Sequence, residues 1–201
     1  MAILRDQQSV PQLVVGYLEG EFALLEFLKE LHSQRSQLSI IKGLIWRKGN
    51  EIIENPDRPY IENLDALPSP DYEAFNIKRY PCYKGKTLPL ITSRGCPFGC
   101  NYCSVRLSMG QNFRPRSAEN VFAEMHRLYE QGWMSFDIND DCFSLDKTRA
   151  GRICELITEH KLKIRFQLYN GIRVDTVNPD LLRKMKKAGC YFISYGCEAG
   201  N

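Results

Sequence analysis

A repeated alternation of strand-like and helix-like segments, from residue 88 to the end of the chain, most constrains the fold of this 201-residue sequence. Four segments have strand patterns: "LPLITS", "MSFDIND", "KIRFQLYN" and "YFISYG". Apolar residues at helical spacing lie between them, and these are Val121, Met125, Leu128, Tyr129, Ala150, Ile153, Cys154 and Ile157. Ser117, Asn178 and Gly189 mark predicted helix ends. Repeated βα units imply a parallel sheet, so the sequence predicts an α/β fold.

Polar residues alternate with apolar ones in two of these strands. Met134, Phe136 and Ile138 form the apolar set of the second strand. The residues that face the other way are Ser135, Asp137 and Asn139 in this strand, and Arg165, Gln167 and Tyr169 in the third. A solvated face is one explanation, but parallel sheets are usually covered on both faces. The sequence therefore favours a polar barrel lumen that holds a ligand at the carboxyl ends of the strands.

The residues ahead of this region divide into two parts near residue 38. The first contains a predicted strand from Leu13 to Tyr17 and a helix whose apolar face is formed by Leu24, Leu25, Leu28 and Leu31. The second contains a predicted hairpin around Lys48-Gly49-Asn50 and a proline-containing connector. We therefore expect three regions, at residues 1–37, 38–87 and 88–201.

Composition limits the function classes. No run of about 18 apolar residues is present, and "MAILRDQQSVPQL" lacks the apolar core of a signal peptide, so we expect a cytoplasmic protein without a membrane span. In a reducing compartment, clustered cysteines favour metal binding over disulfides. The net charge of +3 is too small to indicate nucleic-acid binding.

Three of the eight cysteines, Cys96, Cys100 and Cys103, lie directly after the first strand of the repeat. A structural zinc site needs four ligands, usually from two close pairs. Cys82, Cys142 or a histidine could supply the fourth ligand, but the sequence has no second close pair. A ferredoxin-like electron carrier would need a fully cysteine-ligated cluster. Three thiolates on one loop suit a four-iron cluster in which one iron stays open to another ligand.

The motif "CPFGCNYC" resembles the cluster-binding motif of the radical S-adenosylmethionine (SAM) superfamily. The segments "FRPRSAENVFAE", "FDINDDCF", "GIRVD", "LLRKMKKAGC" and "YGCEAGN" are similar, in this order, to the subfamily with a cobalamin-binding domain ahead of the radical domain. This resemblance implies a partial (β/α) radical SAM barrel of about four βα units. It also implies that residues 1–37 are the last βα unit of a flavodoxin-like cobalamin-binding domain, followed by a connector.

The resemblance assigns roles to individual residues. Cys96, Cys100 and Cys103 would ligate a 4Fe-4S cluster whose open iron binds SAM. The implied SAM contacts are Tyr102 near the adenine, Asp140 and Asp141 at the amino group, and Arg173 and Glu198 at the carboxylate or ribose. The alternatives are simple packing for Tyr102, an ion pair between Arg173 and Asp175, and a helix cap for Glu198. The other five cysteines are interpreted as buried or incidental thiols.

The family also implies a chemistry. The reduced cluster cleaves SAM, and the resulting 5′-deoxyadenosyl radical abstracts hydrogen from an unactivated carbon of a small-molecule or lipid-like substrate. A flavodoxin or ferredoxin would supply the electron, and cobalamin could support methyl transfer; a cyclase, a rearrangement enzyme or a cobalamin-independent methylthiotransferase remains open. We expect an internal piece of a longer protein, with further βα units before Leu13 and about two after Gly196.

The cysteine spacing predicts about four irons per chain after anaerobic reconstitution. Cys96→Ala, Cys100→Ala or Cys103→Ala should abolish iron binding because each removes a cluster ligand, and Cys154→Ala is the control that should retain it. Iron and zinc are measured by elemental analysis. Tightly bound zinc without iron in every preparation would rule out the cluster.

Overall fold

The computed structural model describes residues 13–15, 19–33, 37–80 and 87–196, and the fold is given for these residues. The strands are β1 (Leu13–Val15), β2 (Leu44–Lys48), β3 (Glu51–Glu54), β4 (Thr87–Leu90), β5 (Ser93–Arg94), β6 (Arg114–Pro115), β7 (Ser135–Ile138), β8 (Arg165–Ile172) and β9 (Cys190–Tyr195). The α-helices are α1 (Glu21–Leu31), α2 (Val105–Ser108), α3 (Ala118–Glu130), α4 (Lys147–Glu159) and α5 (Pro179–Lys187).

Backbone contacts divide the chain into two compact units. One unit comprises the residues up to Glu62 together with Leu107–Met109, and the other comprises Asn63–Arg106 and the residues from Gly110 onward. The domain limits of the whole protein stay a prediction, because they concern regions that extend over this division.

A four-stranded parallel sheet forms the centre of the second unit, in the order β4-β7-β8-β9. Helices α3, α4 and α5 connect its strands in sequence. Their N-caps are Ser117, Asp146 and Asn178, whose side-chain oxygens each accept a hydrogen bond from the backbone N–H three residues later. The predicted α/β fold with a parallel sheet is confirmed, and it is consistent with a partial radical SAM barrel.

One face of this sheet packs against the helices and makes the hydrophobic core. Its members include Leu88, Phe136, Phe166, Met125, Leu128, Ile153 and Ile157, all almost fully buried. Met134 was expected in this set but is 50% exposed, because β7 begins only at Ser135 and Met134 therefore lies outside the alternation of the strand. The predicted strand over residues 88–93 also divides, with β4 ending at Leu90 and β5 belonging to a separate ribbon.

The opposite face carries the polar and aromatic side chains expected of a lumen. Arg165 and Tyr169 are exposed there, on the side away from the buried Phe166. The Tyr191 hydroxyl donates to Gln167 Oε1 at 2.6 Å. Tyr169 also stacks on Phe192, with 6.0 Å between the ring centroids. The alternation in β8 thus predicted correctly which of its residues lie on each face of the sheet.

The first unit contains a three-stranded antiparallel sheet in the order β1-β2-β3. The predicted hairpin is confirmed, with Lys48 opposite Glu51 across a turn in which Gly49 has φ +60°. The pairing of β1 with β2 was not predicted, and residues 16 and 17 of the predicted first strand lie outside the described residues. Asn55 is buried beside this sheet, where its Nδ2 donates to the carbonyl oxygens of Leu38 and Ile41 at 2.7 Å each.

The predicted helix is present as α1, but its leucine face is not the face that it buries. Leu24, Leu25, Leu28 and Leu31 are 43–47% exposed, and the buried residues of this helix are Ala23 and Phe27. These two residues have the same i, i+4 spacing one position earlier, and they pack with Leu38, Ile41 and Leu44. The apolar surface of α1 is therefore wider than the stripe that it buries.

The second half of the predicted connector packs onto the second unit. Asp65 accepts a hydrogen bond from the N–H of Ser117 at 2.9 Å, and the Tyr72 hydroxyl donates to the carbonyl oxygen of Pro89 at 2.5 Å. Ile77 is buried in the core of this unit. Over the part of the chain that the structure describes, no helix combines the length and apolar character needed to cross a membrane.

Candidate functional site

The cysteine loop is closed by a short antiparallel ribbon that the sequence did not predict. In this ribbon Ser93 of β5 is opposite Pro115 of β6, and Arg94 is opposite Arg114. The N–H of Arg116 donates to the carbonyl oxygen of Thr92 at 2.9 Å, which adds one hydrogen bond beyond the pair of Ser93 and Pro115. We call residues 92–95 and 114–116 the neck of the loop. Because β5 follows directly after β4, the neck holds the loop at the carboxyl edge of the parallel sheet.

Gly95 allows the two sides of the loop to approach just inside the neck. Its φ of +83° is in the left-handed region, and a Cβ at this position would lie 2.2 Å from the carbonyl oxygen of Asn112. The next residue, Cys96, donates its N–H to the carbonyl oxygen of Gly110 at 3.2 Å. Only glycine satisfies both the backbone angle and the close contact.

The three motif cysteines, Cys96, Cys100 and Cys103, are each half-buried on this loop. Burial is the main cause that raises the pKa of the Cys96 thiol, the N–H of Phe98 opposes it, and negative charge at Asp141 adds to it. Among the described residues, no three His, Cys, Asp or Glu side chains are grouped so as to hold one metal ion. A zinc site needs its ligands to converge on one ion, whereas a cubane distributes its cysteines over different irons. Iron and zinc analysis of the reconstituted chain separates these two kinds of site.

Asp140, at the carboxyl end of β7, is 2% exposed and is fully engaged by the residues that follow β4. Its Oδ1 accepts the N–H of Thr92 at 2.5 Å, and its Oδ2 accepts the hydroxyls of Thr92 at 2.5 Å and of Ser93 at 2.6 Å. Burial raises the pKa of Asp140, while these hydrogen bonds and the positive charge of Arg149 oppose the shift. The structure thus gives Asp140 a place in the support of the neck.

Asp141 is the more accessible of the two carboxylates. Its Oδ2 accepts the N–H of Gly95 at 2.8 Å, directly before the first motif cysteine. Burial is the main cause that raises the pKa of Asp141, and the neighbouring charge of Asp140 raises it further. Of the two predicted contacts to the SAM amino group, Asp140 has both carboxylate oxygens bound by the neck, whereas Asp141 lies beside the loop and is more accessible.

Arg173 follows β8 and lies over the cysteine loop. Its guanidinium carbon is 3.9 Å from the centroid of the Phe98 ring, which is cation–π contact. It also pairs with Asp175 at 2.8 and 3.1 Å, so the alternative ion pair is present. Tyr102 is exposed on the loop, and Glu198 lies outside the described residues.

The cysteines outside the motif behave as buried thiols where the structure describes them. Cys142, Cys154 and Cys190 are buried. Burial raises the pKa of Cys154 to about 12 and that of Cys190 to about 11, so neither is an available thiolate near neutral pH. Their interpretation as core residues is confirmed, and Cys82 and Cys197 lie outside the described residues.

Sequence reasoning missed the residues that support the neck: Thr92, Ser93 and Arg149. Arg149 on α4 is 7% exposed, and its guanidinium donates to Thr92 and to the carbonyl oxygen of Arg116. One signal was available, since Arg149 lies four residues before Ile153 and so falls on the apolar stripe of the helix. A charge on a buried stripe usually has a partner in the interior.

The family of the chain is shown by comparison with known proteins. The model of the Radical SAM superfamily matches residues 90–201, more than half of the chain, and this range includes the neck, the cysteine loop and strands β7 to β9. The chain belongs to the Radical SAM superfamily. The predicted family is thereby confirmed.

Curated relatives and solved structures extend this comparison. An uncharacterized methyltransferase of Pyrococcus horikoshii is 34% identical over 98% of this chain and 42% of its own length. An anaerobic magnesium-protoporphyrin IX monomethyl ester cyclase of Synechocystis is 28% identical over 99% of this chain and 39% of its own. The chain therefore spans about two fifths of the length of these two curated relatives.

Two solved structures have the same fold. The radical SAM methyltransferase TsrM of Kitasatospora setae, solved with tryptophan substrate and a SAM analogue, has a TM-score of 0.71 at 19% identity, covering 92% of this chain and 37% of its own. The cobalamin-dependent SAM radical enzyme OxsB, solved with aqua-cobalamin and SAM, has a TM-score of 0.72 at 24% identity, covering 90% and 27%.

Gly95→Ala should open the neck and weaken iron binding. The left-handed backbone alone costs a non-glycine residue about 1–2 kcal/mol, and the contact with the backbone of Asn112 adds to this. Gly99→Ala is the matched control in the same loop, because a Cβ there meets nothing within 4 Å. Iron content and loss of iron to a chelator are measured after reconstitution. Equal iron retention in the two variants would show that the closed neck does not matter for binding.

Proposed function

We propose that this chain is the cluster-bearing part of a radical SAM enzyme, with Cys96, Cys100 and Cys103 as ligands of a 4Fe-4S cluster. The observation that carries the proposal is the closed loop, which presents three half-buried thiols at the carboxyl edge of a parallel sheet. When bound, the cluster would supply the electron that cleaves SAM and starts radical chemistry on an unactivated carbon. Three cysteines for four irons leave one iron open for SAM.

The residues of this chain would bind and orient SAM. Asp141, held by the N–H of Gly95, offers its other carboxylate oxygen to the SAM amino group. Arg173, placed over Phe98, supplies a positive charge for the SAM carboxylate, and Tyr102 offers an exposed ring for the adenine. Glu198 is proposed as a ribose contact on the family resemblance alone. The polar lumen face with Gln167 and Tyr191 would form one wall of the substrate site.

The reaction class is proposed from the relatives. The names of the curated relatives include methyltransferase and cyclase, and both structural neighbours are SAM enzymes described as a methyltransferase or as cobalamin-dependent. We propose methyl transfer to a small-molecule or lipid-like substrate, with cobalamin bound in the whole protein and a flavodoxin or ferredoxin as electron donor. Residues 1–37 would be the end of the cobalamin-binding domain, 38–87 the connector and 88–201 the barrel part, acting in the cytoplasm.

A fully ligated electron carrier is the second candidate, and SAM binding separates the two. SAM should change the electron paramagnetic resonance spectrum of the reduced cluster, because an open iron gains a ligand. Arg173→Gln should raise the SAM concentration needed for half of this change by about tenfold, the equivalent of one charged hydrogen bond. Arg152→Gln is the control, since it removes a partly exposed, ion-paired arginine on α4. An unchanged spectrum at saturating SAM would favour the electron carrier.

A further inference from the structure

Arg149 is a buried cation that the proposed function does not use. Its Nε donates to the carbonyl oxygen of Arg116 at 2.6 Å. Its Nη2 donates to the carbonyl oxygen of Thr92 at 2.5 Å and to the Thr92 hydroxyl at 2.6 Å. Thr92 and Arg116 lie on opposite sides of the neck, so one guanidinium bridges the two strands that close the cysteine loop.

Asp140 completes this arrangement from the end of β7. It accepts the N–H and the hydroxyl of Thr92, while Arg149 binds the carbonyl oxygen and the hydroxyl of the same residue. Every polar atom of Thr92 is therefore held by a buried charged group. The hydrophobic core fixes the positions of β7 and α4. Because Asp140 and Arg149 bind Thr92, they also fix the position of the first residues of the loop.

Burying the charges of Arg149 and Asp140 is energetically unfavourable compared with burying apolar residues. Removing two charges from water is unfavourable, and apolar residues of similar volume often make the protein as stable or more stable. An apolar cluster cannot make directional hydrogen bonds. The donors of the planar guanidinium, in contrast, bind two carbonyl oxygens at a fixed separation. Lysine could bind one of these oxygens but has no rigid fork to join the two strands.

We propose that Arg149 is a positioning residue for the cluster: together with Asp140, and through Thr92, it sets the geometry of the neck and hence the environment of the cysteine thiolates. The proposal rests on the proposed function, since it assumes that the loop holds a cluster. Hydrogen bonding and solvent exposure at a cluster set its reduction potential. A loosened neck should therefore change the potential and the release of iron, beyond any change in overall stability.

The test compares Arg149→Met and Arg149→Lys with Arg152→Met in this chain after anaerobic reconstitution. Arg152 lies on the same helix, has a side chain that is 41% exposed, and pairs only with glutamates in the described contacts, so it serves as the control for loss of a positive charge. The readouts are the midpoint potential from a redox titration followed by electron paramagnetic resonance, iron release to a chelator, and the melting temperature. We expect both Arg149 variants to release iron about tenfold faster, with a shifted potential, and Arg152→Met to match the wild type.

Variants of Thr92 keep the proposal testable if the Arg149 variants do not fold. Thr92→Val removes the hydroxyl shared by Asp140 and Arg149 at nearly constant volume, and Thr92→Ser restores it. Faster iron release in Thr92→Val, with wild-type release in Thr92→Ser, supports the proposal. Folded variants with wild-type potential and iron release overturn it while the cluster assignment stands. A wild-type chain that binds no iron overturns both.

Discussion

The buried carboxylate of Asp140 is the interaction on which the candidate site depends. It lies where β7 ends and binds the backbone and hydroxyl of Thr92, just beyond the end of β4. These neighbouring parallel strands end at the same edge of the sheet. Asp140 therefore links the register of the sheet to the position of the loop that follows.

The loop between β5 and β6 contains the short helix α2, and its two ends are held together at the neck. The ribbon of β5 and β6, the close approach at Gly95 and the bridge made by Arg149 all act within a few residues of Cys96. This arrangement suits the proposed function, in which the cysteine side chains would bind iron while other residues support the loop. The three cysteines are each half-buried and are not enclosed in the core.

Patterns of alternation predicted most of the parallel sheet, because its strands lie on a continuous core with a polar opposite face. Cys154 and Phe166 are buried and Arg165 is exposed, as their positions in the pattern indicate. In α1 the pattern predicted the helix but could not select its buried face, because adjacent positions carry equally apolar residues and only tertiary contacts select Phe27 over Leu28. Spacing also identified the cysteine loop, but the partners of Asp140 and Arg149 are 33 to 57 residues away in sequence, and no local pattern encodes them.

The central claim is that three cysteines hold four irons and leave one iron open to SAM. Mössbauer spectroscopy of the chain reconstituted with iron-57 measures this directly, because it resolves individual iron sites. The account predicts one cluster per chain, and on addition of SAM about one iron in four should change its isomer shift and quadrupole splitting while the others keep theirs. A spectrum in which all the irons stay unchanged at saturating SAM would contradict it.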